Sequence, residues 1–149
     1  MQKKLVSKDT PLAEITLRKY ERPGELQKRD LIKKICLSIG LLQPGDSRDI
    51  IVDIFHVLLE SKEPLQAEEL QKLVIEYRKK RKLELKGVAT SNIRRQVRRL
   101  RELFLVEKIK NEYRIAENDQ IHHIFEEKIK KFYIQNIVER VEEYFKLLK

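Results

Sequence analysis

The sequence predicts a mainly α-helical fold that carries one short β-hairpin and ends in a long helix. Three observations predict it. Only four Gly and four Pro occur in 149 residues, while Leu, Ile, Lys, Glu and Arg dominate, so few positions oppose a helix. Beyond residue 25, apolar residues recur at spacings of three and four through most of the chain, the period of an amphipathic helix. The stretch LVEKIKNEYRIAE, residues 105–117, instead reads as two short strands about a turn.

The first 25 residues are an arm whose signals conflict. Thr10 before Pro11 suits a helix start, yet Ala13, Ile15 and Leu17 alternate as in a strand. After the Pro23-Gly24 turn, Leu26, Leu31, Ile32, Ile35 and Ile39 give a helix over about residues 25–41, stopped at Gln43-Pro44-Gly45. Asp46 is the expected N-cap of a second helix, about 47–61, with a wide apolar face of Ile50, Ile51, Ile54, Phe55, Leu58 and Leu59.

Pro64 then breaks the chain, Leu65 adds a brief strand, and Glu68 and Glu69 favour a new helix N-terminus. Leu70, Leu73, Val74 and Tyr77 form the inner face of that helix, which runs out into Arg78-Lys79-Lys80-Arg81-Lys82. Gly87 marks a loop, and Thr90 or Ser91 caps the next helix, 91–104. Its packing stripe is Ile93, Val97, Leu100 and Phe104, and every arginine falls outside that stripe. In the hairpin, Val106, Ile109, Tyr113 and Ile115 supply the buried side, and Asn111 of the Lys110-Asn111 turn tolerates positive φ. From about Asn118 to Lys149 no Gly or Pro intervenes, giving one helix roughly 45 Å long at about 1.5 Å per residue.

This length and a 41% apolar content fit one globular core with an appendage. Three segments follow: an N-terminal arm and helix over 1–45, a central domain over 46–116, and a C-terminal helix over 117–149. The abundance of Lys, Glu and Ile is a thermophilic trait. Cys36 is unpaired and has the neighbours of an ordinary core residue. The basic N-terminus lacks the apolar run of a signal peptide, and no stretch is long enough to cross a bilayer; a cytoplasmic location is expected.

Charge is unevenly placed. The net charge is +9, and residues 76–101 hold eleven Lys and Arg against two Glu; elsewhere basic and acidic residues balance at 22 each. Concentrated positive charge attracts polyanions, because binding releases counterions condensed on phosphates. The bland reading is a solvated, Arg-rich helix face.

The order helix, short strand, helix, basic loop, helix, hairpin over residues 47–116 resembles the winged-helix (winged helix-turn-helix) family of transcription regulators. The resemblance is carried by KEPLQAEEL, ATSNIRRQVRRLRELFLVEKI and NEYRIAE and covers about half the chain. It implies a three-helix core with a β-hairpin wing over 105–116, the third helix in the DNA major groove, and the wing on the backbone. Carried onto this chain, the DNA-contacting candidates are Ser91 and Asn92 at the helix start, Arg94, Arg95, Arg98 and Arg99 along it, and Lys108, Lys110, Asn111 and Arg114 on the wing. Arginine suits both guanine edges and phosphates. The long basic connection between second and third helices departs from the compact family pattern.

Ile134, Val138, Val141, Phe145 and Leu148 repeat at four, three, four and three, the seam of a coiled coil, and imply a homodimer. The same stripe could instead fold back on the arm of its own chain, or lie on a membrane surface, although Glu139, Glu142 and Glu143 interrupt the basic face. His56 sits among apolar neighbours as a core-edge residue, and the adjacent His122 and His123 point apart on a helix, so no metal, cofactor or catalytic group is expected. The expected function is sequence-specific binding of double-stranded DNA in transcription regulation. Alternatives are a module for RNA or an acidic protein partner, or an architectural chromatin protein.

Overall fold

The computed structural model describes residues 9–149; the basic N-terminus, residues 1–8, lies outside the described residues. From residue 28 onward, four helices, a two-stranded antiparallel hairpin and a long C-terminal helix follow in order: α1 Lys28–Ser38, α2 Ile50–Glu60, α3 Ala67–Lys80, α4 Thr90–Glu102, β1 Val106–Ile109, β2 Glu112–Ile115, and α5, residues 121–147. One cluster of buried apolar side chains runs from Ile32 of α1 to Ile129 of α5. No helix among the described residues is long and apolar enough to cross a membrane.

The arm has no helix or strand from Pro11 to Leu26. It crosses the end of α1, where the Arg18 amide donates to Ser38 O at 2.8 Å and its guanidinium donates to Leu37 O at 2.7 Å. Those carbonyls belong to the last helical turn, where no later helical amide reaches them, and need such donors. Gly40 turns the chain there with φ +77, and an added Cβ would stand 2.6 Å from Thr16 Cβ, so glycine allows the arm to pack. Of the alternating apolar arm residues, Ile15 packs on the core while Leu17 is exposed. Burial pushes the Cys36 thiol up to about 12, the state of an inert core cysteine.

Helix α2 is buried on nearly every side, from Ile50 to Leu58, as its almost unbroken apolar run requires. The other elements pack around it, with α1, α3, α4 and β2 all in contact. Asp46 does not cap it. The helix starts three residues later, and the Asp46 carboxylate accepts the Arg48 amide at 2.9 Å in a turn of its own. At the start of α3, Glu69 reaches back to the Gln66 amide at 3.1 Å, half of a capping box.

The inner face of α3 is Ala67, Leu70, Val74 and Arg78. Leu73 and Tyr77, expected inside, lie on its margin: Leu73 is exposed and Tyr77 only half-buried. The stripe follows 70, 74 and 78, so the fourth inward position is a cation. Two carboxylates of α2 hold it. Arg78 donates to Asp53 and, at 3.2 Å, to Asp49; Arg29 of α1 donates to Asp53 at 2.8 Å and Asp49 at 3.0 Å. Burial would raise the Asp49 pKa, but hydrogen bonds and charge from Arg29, with Arg78, outweigh it and hold the carboxyl below its ordinary value. Arg78 also donates to Glu84 O at 2.6 Å and so anchors the connection between α3 and α4.

Leu65 pairs with Tyr113 through two backbone bonds, 2.9 and 2.8 Å, and adds a single-residue third strand to the hairpin. Val106, Tyr113 and Ile115 are buried, but Ile109, beside the hairpin turn, is 40% exposed. The left-handed turn residue is Lys110 (φ 57), not Asn111.

Helix α5 follows a short 3-10 turn, Ala116–Asn118, and opens as a π-helix over Phe125–Ile134 before continuing as α-helix over Gln135–Leu147. The wider π turn aligns residues five apart. Ile124, Ile129 and Ile134 therefore face the body of the molecule, and Phe132 turns outward, 55% exposed.

Candidate nucleic-acid interface

Helix α4 lies against α2, α3 and β1, through Ile93, Val97 and Leu100, all fully buried. Phe104 does not continue the stripe. It follows the helix end with φ 65 and packs edge-on against Phe132 and Tyr133 of α5, at ring distances of 6.3 and 5.5 Å. At 100° per residue, the direction opposite the buried stripe belongs to Ser91, Arg95, Arg98 and Glu102, and all four are exposed.

Neither Thr90 nor Ser91 caps α4. The N-cap position is Ala89, so the first turn has no side-chain cap. Asn92 is occupied elsewhere: its amide donates to Gly87 O at 2.8 Å and its oxygen accepts Gln96 Nε2 at 3.2 Å. Gln96 in turn accepts Arg99 Nη1 at 2.9 Å, and Arg99 Nη2 donates to Leu41 O at 2.8 Å. A polar ladder thus runs down one flank of α4 and ties it to the end of the α1 turn. Within it Arg99 is a latch, not a free outward cation.

On the other flank, Arg94 pairs with Glu68 of α3 at 2.9 Å, with both side chains more than half exposed. Exposed pairs of this kind are worth about 0–1 kcal/mol, so Arg94 is easily released. Arg95 and Arg98 make no ion pair or side-chain hydrogen bond with the described residues, and Arg101 is exposed near the helix end. Of the four arginines predicted to face outward, two are free cations, one is weakly paired and one is structural.

On the hairpin, Lys108 is exposed and its Nζ lies 6.0 Å from the Tyr113 ring centre. Lys110 and Asn111 form the exposed tip. Arg114 is engaged with Glu107 at 2.6 Å, and Glu107 also accepts the Glu117 amide at 2.7 Å. That pair fastens the base of the hairpin. The hairpin's freely presented cations are therefore Lys108 and Lys110.

No family model, curated protein or solved structure matches this chain.

Two of the three histidines have local partners. His56 is buried against Tyr77, whose hydroxyl meets Nδ1, with Glu60 3.3 Å from Nε2. Burial holds its pKa below the ordinary imidazole value. The exposed His123 bonds the half-buried Asp119 at 2.5 Å, a contact that raises the histidine's pKa.

Two features beside α4 escaped the sequence reading. One is the Arg29, Arg78, Asp49 and Asp53 cluster. Its signal was present, since Asp53 interrupts the apolar run IIVDIFHVLL and a buried carboxylate demands partners. The other is a cationic groove of about 330 Å³ between α4 and the segment before α2, where Arg48, Lys86, Arg95 and Arg99 face one carboxylate, Asp46. Arg48 and Lys86 lie far apart in sequence, so no local pattern joins them.

On α5, Val138, Val141, Tyr144, Phe145, Leu147 and Leu148 are exposed, and Ile134 is half-buried. The arm is hydrogen-bonded to the helix where Tyr133 Oη exchanges bonds of 3.2 and 3.1 Å with the Glu14 backbone. Beyond that level, residues 9–13 and the helix flank an open, largely apolar groove of about 780 Å³.

Proposed function

We propose that this chain is a non-enzymatic, winged-helix regulator that binds double-stranded DNA in a sequence-specific way. The observation that carries the reading is the outward face of α4, where Arg95 and Arg98 stand exposed and unpaired opposite a fully buried stripe. A helix fixed so firmly on one side and cationic on the other suits insertion in a major groove about 12 Å wide, where arginine can pair with guanine. Ser91, Arg95 and Arg98 take the base-facing positions, and Arg94 joins them by releasing Glu68. Asn92 and Arg99 hold the helix in place. Lys108, Lys110 and Asn111 at the hairpin tip lie on the backbone.

The chain acts as a homodimer through α5. An exposed apolar face of this extent marks a partner surface, and Val138, Val141 and Phe145 within it keep the coiled-coil spacing. Two α4 helices related by a two-fold axis would read a palindromic site.

Binding of a DNA duplex by the Arg95→Ala and Arg98→Ala variants tests the assignment. Each loses about 1–3 kcal/mol of affinity if its arginine reads a base. Affinity unchanged with both arginines removed would exclude the α4 face as the binding surface.

A further inference from the structure

We infer that the groove between α4 and the segment before α2 seats the sugar-phosphate backbone of one DNA strand, with Arg48 and Lys86 on its phosphates. This rests on α4 as the DNA-reading helix. A helix about 10–12 Å across fills the major groove, and the two phosphate strands then run along its flanks. One flank of α4 is this groove. Arg95 belongs to both, as an outward residue of α4 and a wall of the groove.

The groove is built to hold charge toward solvent. Asp46 accepts both the Arg48 amide, at 2.9 Å, and Arg48 Nε, at 3.3 Å, yet the Arg48 side chain remains 84% exposed. Lys86 is 81% exposed, and its contact with Glu84 is 3.4 Å across open surface. Such pairs are worth little in water, so a phosphate can replace either carboxylate. Gly87 sets the position of Lys86. It has φ +77, and an added Cβ would meet Asn92 Nδ2 at 2.9 Å, so only glycine lets the loop turn tightly onto the start of α4. The immobile Arg99 adds its charge without moving, and the apolar floor of Leu41, Leu42 and Ile50 strengthens the field between the walls.

The test compares salt dependence of binding to a mixed-sequence DNA duplex for the parent chain, the double variant Arg48→Gln/Lys86→Gln, and a control, Lys130→Gln/Lys131→Gln, on exposed α5. Each phosphate contact contributes about 0.9 to the slope of log K against log salt. The groove variant is expected to lower the slope by about two, to bind severalfold more weakly at low salt, and to keep the parent's sequence preference; the control keeps the parent slope. Because both groove side chains are mostly exposed, thermal melting stays at the parent value. A groove variant with the parent slope, while Arg95→Gln/Arg98→Gln still weakens binding, overturns the groove and leaves the DNA reading standing. An equal loss in the control also overturns the groove. If the parent shows no salt-dependent affinity for duplex, the two fall together.

Discussion

Arg98 and Arg99 occupy successive positions on α4, yet only Arg99 reaches backbone carbonyls across the molecule, at Leu41 and, at 3.4 Å, Gly40. Arg99→Gln is therefore expected to lower stability to urea by about 1–3 kcal/mol, the worth of a hydrogen bond to a charged group. Arg98→Gln should leave stability within about 0.5 kcal/mol of the parent and act on duplex binding alone. Equal stability losses would place both arginines in one role. Asp53 has the larger structural part. Its removal in Asp53→Ala leaves Arg78 buried without its nearest carboxylate, an expected loss of about 3–5 kcal/mol in urea unfolding. Acid acts at the same cluster and at His56. The folded-state pKa values of His56 and Asp49 both lie below their unfolded values, so each contributes stability that is full above its unfolded value and lost as pH falls. Urea midpoints should decline first as pH drops below about 6.5, as the unfolded chain protonates His56, and again below about 4 for Asp49. In His56→Phe the first decline should vanish and the second remain.

At the scale of elements, periodicity located α1 to α5, because Ile, Leu and Val at spacings of three and four admit little else. The ends were less legible. Asp46 and Thr90 are good caps by residue type, but the chain uses Asp46 for a turn with Arg48 and places Ala89 at the N-cap of α4, choices set by packing around α2. Asn111 is likewise the better left-handed residue by type, yet strand register places Lys110 there. In α5 the heptad pattern was legible and the π segment was not, because five-residue spacing among Ile124, Ile129 and Ile134 lies hidden within a sequence also rich in three- and four-residue spacings. The exposed face beyond it carries its own prediction. Val141→Glu with Phe145→Glu should shift the sedimenting mass from dimer to monomer without changing the melting of the core, since both residues are exposed. A parent chain that sediments as a monomer would contradict dimerisation through α5.

For the whole molecule, the charge excess of residues 76–101 was plain in the sequence, but its use was not. Arg78 turns inward to Asp53, Arg99 latches α4, and Arg81 lies over the Tyr77 ring at 3.5 Å, so part of the excess builds the fold. Lys79, Lys80, Lys82, Arg94 and Arg101 are exposed as well, but opposite the buried stripe of α4 stand Arg95 and Arg98, beside the groove that brings Arg48 alongside Lys86. Identity as Arg or Lys does not separate these roles; position relative to the apolar stripe does so for Arg78, and only tertiary contact does so for Arg99. The central claim is that this remaining surface reads duplex DNA by sequence. The most direct measurement is selection of genomic fragments by the purified chain at moderate salt, with structured RNA as competitor. Enrichment of duplexes sharing a short motif, palindromic for a dimer, is the predicted result; sequence-blind retention of all duplexes, or displacement of duplex by structured RNA, would contradict it.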